Sequence, residues 1–275
     1  MYLEHWEMNI LPFENAPNPS FFYPSAMHKE ALERLNYTVS QGKGAAMVVG
    51  GIGCGKTIIS HALINRLRKD RYRVAAMTNP AFEPTEFLEM VMRLFQVPNG
   101  YDRSRAEMLH SLESHLKKNI VEAKGSVLIV DEAQVIHNDR TLEELRMLLN
   151  LQSNNKFLVS LILLGQLELS AQVSKVAPLD QRISVRYQLT PLLYKDSLYY
   201  IKHRLNVAGC KKMPFTAEAL EAIFRLTKGI PREINNLCDR SLLATYLADK
   251  TFATHEIVEE AWKDIFTDQP AISDC

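Results

Sequence analysis

The chain has 275 residues, a length that suits one large domain or one domain with a smaller companion. Lysine plus arginine and aspartate plus glutamate both number 32, and this balance argues against a protein that coats a polyanion with its whole surface. Cys54, Cys210, Cys238 and Cys275 are far apart and form no C-x-x-C pair, which speaks against a zinc ribbon or a disulfide framework and fits a reducing cytosol.

The opening stretch 1–9 carries Glu4 and Glu7 and no apolar run, so a signal peptide is not expected. The longest strongly apolar stretch, Leu158–Leu164, is far too short to span a bilayer. The expectation is a cytoplasmic protein without direct membrane insertion, reaching the inner membrane only through partners.

Residues 1–27 are rich in aromatics and proline, including Trp6, Phe13, Phe21, Phe22 and Tyr23. Aromatics bury, so the segment is expected to be an ordered, non-helical arm packing on the core. From His28 the pattern alternates between helix and strand. Residues 28–39 have helical spacing, and Ala45–Val49 is a short apolar run ending in glycines, as a buried strand does. Helices are predicted over 56–68, 85–95, 105–123 and 141–151. Strands are predicted over 72–77, 126–130, 157–164 and 183–189. Strands separated by such helices imply a parallel sheet.

After Pro191 the strand signals stop, and 196–207, 216–227, 231–247 and 255–266 all read as helices. Pro231 suits the first turn of its helix. The expected organisation is an αβα domain at 28–192, a small all-helical domain at 193–267 and a flexible tail at 268–275.

Gly50-Gly51-Ile52-Gly53-Cys54-Gly55-Lys56-Thr57 follows a predicted strand and opens a predicted helix, and Ile58 continues that helix. This is the setting a phosphate-binding P-loop needs. Glycines let the backbone curl so that successive N–H groups point at phosphate oxygens, and the helix N-terminus adds partial positive charge. Lys56 would reach the β- and γ-phosphates of ATP, and the Thr57 hydroxyl would ligate magnesium. Cys54, inside the loop, is read as a small neutral filler, with redox sensitivity as the sharper alternative. The arm at 1–27 has its own sharper alternative, in which part of it walls the adenine pocket.

Val127-Leu128-Ile129-Val130 is an apolar run that ends in Asp131 and Glu132. Asp131 would hold magnesium, directly or through its waters. Glu132 points differently and would orient and deprotonate the attacking water.

Several further segments carry a resemblance. They are Pro12-Phe13, His28-Lys29-Glu30-Ala31-Leu32, Asp131-Glu132-Ala133-Gln134, Leu164-Gly165-Gln166, Gln181-Arg182-Ile183-Ser184-Val185-Arg186-Tyr187 and Gly229-Ile230-Pro231-Arg232-Glu233-Ile234-Asn235. In this order, with the P-loop, they resemble the AAA+ ATPases related to general secretion pathway protein A, as a short soluble form. The resemblance covers about residues 1–267. It implies an AAA+ P-loop fold, an αβα sandwich followed by a helical lid, with ATP and magnesium bound at interfaces of a homo-oligomer. It also implies that Gln166 is the sensor-1 residue and that Arg182 is the arginine finger, with Arg186 as runner-up. Arg232 would be sensor 2. Gly51 and Cys54 depart from the Glu and the Thr or Ala more usual there. Longer members continue into a membrane span and a peptidoglycan-binding region, and neither is expected here.

Other signals stay weak. Arg66, Arg68, Lys69, Arg71 and Arg73 cluster where the P-loop helix ends, as cations favoured by the helix dipole do. They could alternatively touch a nucleic-acid backbone. His110 and His115 lack ligand spacing. Tyr194, Tyr199 and Tyr200 read as packing residues. The functional expectation is an oligomeric ATPase serving secretion, the envelope or exopolysaccharide export through a membrane or secretion-complex partner. The alternative is a transposition-regulator ATPase assembling on DNA. A nucleotide-dependent binding module that hydrolyses little is a third reading, and Glu132 and Arg182 speak against it.

Overall fold

The computed structural model describes residues 2–98, 104–122 and 124–267. The expected tail at 268–275, and Ala123 at the end of one expected helix, lie outside the described residues. The chain divides into two compact units. One comprises Ala26–Ile52 and Lys56–Leu189, and the other Met1–Ser25, Gly53–Gly55 and Thr190–Cys275.

The chain opens with a helical turn, α1 (Tyr2–His5), and has a 3-10 turn at Pro19–Phe21. The sequence predicted a non-helical arm, so this is a correction. The 3-10 turn forms because the Asn18 side chain accepts the Ser20 N–H at 3.0 Å and Pro19 fixes its own φ. Helix α1 is too short to hold itself. Long-range bonds fix it: the Trp6 indole donates to the Thr251 carbonyl at 3.3 Å, and the Tyr2 hydroxyl donates to Asp239.

The sheet unit contains α2 (Ala26–Ser40), β1 (Ala45–Gly50), α3 (Lys56–Arg66), β2 (Tyr72–Thr78), α4 (Pro84–Leu94), α5 (Arg105–Val121) and β3 (Gly125–Asp131). It continues with α6 (Asp139–Asn150), β4 (Gln152–Ser153), β5 (Lys156–Phe157), β6 (Val159–Gly165), α7 (Glu168–Lys175), α8 (Ala177–Asp180) and β7 (Ile183–Leu189). A five-stranded sheet runs in the order β2-β3-β6-β1-β7, and every pair in it is parallel. Helices cover both faces of the inner strands, so β1 and β6 are buried along their whole length. The edge strands β2 and β7 alternate between buried and exposed positions.

The core of this unit joins the sheet to α4, α5 and α6. Phe87, Leu88, Val91 and Met92 form the inner stripe of α4, and Leu142, Leu145 and Leu149 that of α6. Both α4 and α5 start with reciprocal capping boxes, Glu83 with Glu86 and Ser104 with Glu107.

One expected strand, 157–164, is split. Asn154 and Asn155 sit in the left-handed region at φ 49° and 60° and turn β4 back antiparallel onto β5. The chain then enters β6 after Leu158. Sequence reading also found no element between β6 and β7, where α7 and α8 lie.

The second unit is built from α9 (Tyr194–Val207), α10 (Ala217–Thr227), α11 (Pro231–Leu247) and α12 (His255–Thr267). The arm joins this unit's core, where Tyr2, Trp6, Met8 and Phe13 pack with Ile201, Ile223, Leu237 and Val258. Arg204 of α9 pins the arm. Its buried guanidinium donates to the carbonyls of Pro12 and Glu14 and to the Tyr200 hydroxyl, and lies 4.7 Å from the Phe21 ring centroid. Helix α10 ends in Lys228 and Gly229, both at positive φ, and a Cβ on Gly229 would collide with the Leu192 carbonyl. No helix among the described residues is long and apolar enough to cross a membrane.

Candidate nucleotide-binding site

The turn from β1 into α3 is glycine-rich for separable reasons. Gly53 and Gly55 have φ of 77° and 95°, which L-residues rarely adopt. Gly50 faces a close neighbour instead: a Cβ there would stand 3.0 Å from both the Leu189 side chain and its carbonyl oxygen. Gly53 lies with the helical unit, at the start of α11. Its carbonyl accepts the Arg232 N–H at 3.4 Å, and a Cβ would come within 2.8 Å of the Arg232 Cβ. Gly51 is partly exposed, Ile52 is exposed, Cys54 is buried and Ile58 is half-buried in α3.

Lys56 opens α3 and is only 5% exposed. A buried ammonium costs several kcal/mol unless it is hydrogen-bonded, roughly speaking. The Lys56 Nζ meets that need inside the loop, donating to the carbonyls of Gly50 and Gly51 at 3.0 Å each.

Asp131 ends β3 and is buried. Burial pushes its carboxyl above the ordinary aspartate range. The Thr57 hydroxyl, the Glu132 N–H and the charge of Lys56 pull it back, while the charge of Glu132 adds to the rise. The Glu132 N–H reaches Asp131 Oδ1 at 2.9 Å. Lys56, Thr57 and Glu132 therefore all act on the carboxyl of Asp131. Glu132 takes a left-handed backbone, φ 54° and ψ 36°, a conformation that strains a non-glycine residue by roughly 1–3 kcal/mol and often marks a functional site.

Gln166 follows β6, and the strand order explains its place. Strand β6 lies between β1 and β3, with Val49 opposite Gly165 on one side and Val130 opposite Leu163 on the other. The chain leaving β6 thus emerges between the P-loop strand and the strand of the two acids. The Gln166 N–H donates to Gln134 Oε1 at 3.0 Å, and Gln134 Nε2 donates to Glu132 Oε2 at 2.6 Å. Sequence reading gave Gln134 no role. Its one signal was its place, two residues after Glu132 in a segment that carried the family resemblance.

Arg182 and Arg186 are bonded elsewhere in the sheet unit. Arg182 Nη1 donates to the Leu149 carbonyl at the end of α6 at 3.3 Å. Arg186 pairs with Asp180 at 2.8 Å. Among the described residues neither contacts Lys56, Asp131 or Glu132. Arg232 is exposed, and among the described residues its side chain makes no hydrogen bond or ion pair.

The donor set fits magnesium. Thr57 and Asp131 offer two hard oxygens that act on each other, with the charge of Lys56 acting on the same carboxyl. Among the described residues no group of three or more His, Cys, Asp and Glu side chains forms a metal cage. Magnesium suits such a sparse set, because it keeps several waters and takes phosphate oxygens as further ligands.

Residues 39–173 match the family model described as AAA domain. With the parallel sheet and the P-loop, this match gives the chain an AAA+ P-loop fold. Its sequence is 37% identical over 260 residues to general secretion pathway protein A of Aeromonas hydrophila, across 94% of this chain and 46% of that protein. The chain is thus a relative of that secretion protein, spanning about half its length. Among solved structures it resembles the Aeropyrum pernix ORC2 protein, with a TM-score of 0.71 at 14% identity, covering 94% of this chain and 72% of that one. It also resembles Cdc6p of Pyrobaculum aerophilum, with a TM-score of 0.70 at 17% identity, covering 90% and 71%. At such identities the likeness speaks for the fold alone.

Proposed function

We propose that the chain is an ATPase that hydrolyses magnesium-bound ATP within an assembly of its own copies. The assembly drives or switches secretion, envelope or exopolysaccharide-export machinery, from the cytoplasm and through protein partners. The observation that carries the enzymatic reading is that Lys56, Thr57 and Glu132 all act on the buried carboxyl of Asp131. Kinship with a secretion protein supports the setting.

In this reading the P-loop N–H groups and Lys56 bind the β- and γ-phosphates. Thr57 and Asp131 hold magnesium, which neutralises charge on the phosphate oxygens. Glu132 accepts a proton from water as that water bonds to the γ-phosphorus and the bond to the ADP oxygen breaks. Gln166 hydrogen-bonds the γ-phosphate as sensor 1. Arg232 contacts it as sensor 2. Arg182 enters the site of a neighbouring copy as the finger, where a guanidinium stabilises charge on the transferred phosphoryl group; Arg186 is the second choice.

Phosphate release by the purified protein tests the enzymatic reading. Turnover should rise with protein concentration, and Glu132→Gln should stop it while nucleotide stays bound. No turnover at any concentration, or full turnover by Glu132→Gln, refutes it.

The alternative of assembly on DNA rests on the basic cluster. Arg66 is engaged by Glu33 and Arg68 by Asp70, which leaves this reading with less support. ATP-stimulated, salt-sensitive binding to duplex DNA would favour it over the export reading.

A further inference from the structure

Glu132 can only serve as a base if its carboxylate is aimed, and its strained backbone does not aim it alone. The structure supplies one strut. Gln134 Nε2 donates to Glu132 Oε2 at 2.6 Å, while Gln134 Oε1 accepts the Gln166 N–H at 3.0 Å. The chemistry fixes which end of the amide is which. A backbone N–H only donates and an ionised carboxylate only accepts, so the oxygen must face Gln166 and the nitrogen Glu132. The Gln134 main chain is held as well, since Gln172 Nε2 donates to its carbonyl at 2.9 Å. Gly165 leaves room for the strut, because a Cβ there would stand 2.9 Å from Gln134 Oε1.

We propose that Gln134 is a positioning residue that clamps the Glu132 carboxylate to the end of β6. Its amide converts the position of β6 into the aim of the base, so that a shift of Gln166 also moves Glu132. This rests on the ATPase reading above. It adds a residue to that reading and a physical link between the sensor position and the water-activating group. Surrounding groups that orient a reacting side chain carry about 10- to 100-fold effects when lost.

The test compares Gln134→Ala, Gln134→Glu and Glu132→Gln in the full chain. It reads steady-state ATP turnover, binding of a fluorescent ATP analogue and the thermal midpoint. Gln134→Glu is the discriminating variant. It keeps the shape and still accepts the Gln166 N–H, but it cannot donate to an ionised Glu132 and sets a second anion beside it. The expectation is a kcat lower by about 10- to 100-fold in both Gln134 variants, with KM and nucleotide affinity within about twofold of the parent. If Gln134→Ala fails to fold, Gln134→Glu decides alone. Turnover within about twofold of the parent in Gln134→Glu overturns the proposal, since packing alone would then explain Gln134. So does a loss of nucleotide binding that matches the loss of turnover. If Glu132→Gln stops turnover but Gln134→Glu does not, only this inference falls. If Glu132→Gln leaves turnover intact, both readings fall.

Discussion

The hydroxyl of Thr57 draws the pKa of the Asp131 carboxyl down, coupling the first turn of α3 to the end of β3. These two oxygens are the magnesium donors of the proposed site. Thr57→Val keeps the side-chain volume and removes one donor. Magnesium affinity in the presence of ATP is expected to fall by more than about tenfold, as losses around metal sites do. Metal-free ATP binding should change little, because Lys56 and the loop backbone remain. Calorimetric titration of ATP with and without magnesium separates the two. Equal magnesium dependence in Thr57→Val and the parent would remove Thr57 from the site.

Arg182 is bonded to Leu149 of its own chain and to nothing in its own nucleotide cluster among the described residues. If it acts on a neighbour, Arg182→Ala should reduce turnover by about 10³-fold or more, on the scale known for arginine fingers. Mixing it with Glu132→Gln protein should restore part of the activity at hybrid interfaces. Phosphate release across a series of mixing ratios is the measurement. A flat response at every ratio counts against action in trans, and the same series run with Arg186→Ala decides between the two arginines.

Arg204 holds the arm through two carbonyls and the Tyr200 hydroxyl. Arg204→Met retains much of the packing volume and leaves those acceptors without their donor. Each buried acceptor left unpaired costs about 1–3 kcal/mol. The arm should then open more often, and limited proteolysis within 1–25 should accelerate by at least about tenfold, given 1.4 kcal/mol per decade. Unchanged cleavage would show that the aromatic contacts alone secure the arm.

Two histidines make the fold sensitive to acid. Burial lowers the pKa of His203, helped by the charge of Arg204, and among the described residues its Nε2 is buried without a partner. Burial likewise lowers that of His115, with Lys118 adding to the effect. Both folded values therefore lie below the ordinary 6.5. The folded state favours neutral rings, and the unfolded chain takes up protons first. This contribution to stability is complete above pH 6.5 and is lost as pH falls below it. Denaturation midpoints measured downward from pH 7.5 should decline below about 6.5, and His203→Phe should decline less. A parent and a variant with the same slope would assign the acid sensitivity to other groups.

Local signals made much of this molecule legible. Ile183–Leu189 and Pro231–Leu247 have the bounds their alternation and proline placement indicate. The P-loop and the acids ending β3 announce themselves because the chemistry needs fixed residue types at fixed spacing within a short segment. The Asn154-Asn155 turn also had a local signal, since paired asparagines tolerate the left-handed region, yet the apolar run beside it concealed the break. Helices α7 and α8 are short and interrupted, so periodicity had too few turns to register. What no local pattern could show is the meaning of Gln134 or Arg204. Their roles depend on partners such as Gln166 and Pro12, brought close only by the strand order or by the arm's return to α9.

Lys56 spends two of its three ammonium hydrogens on the carbonyls of Gly50 and Gly51. The cation is thus a brace for the loop as well as a charge offered to a ligand. An anion arriving there finds the amine already oriented and its water largely removed, so little reorganisation remains to be done on binding. Arginine carries its donors in one rigid plane, so it would meet the two carbonyls and an incoming anion with a different geometry. The demand at this position is therefore for a tetrahedral head, and a guanidinium of the same sign would brace the loop badly and greet phosphate late.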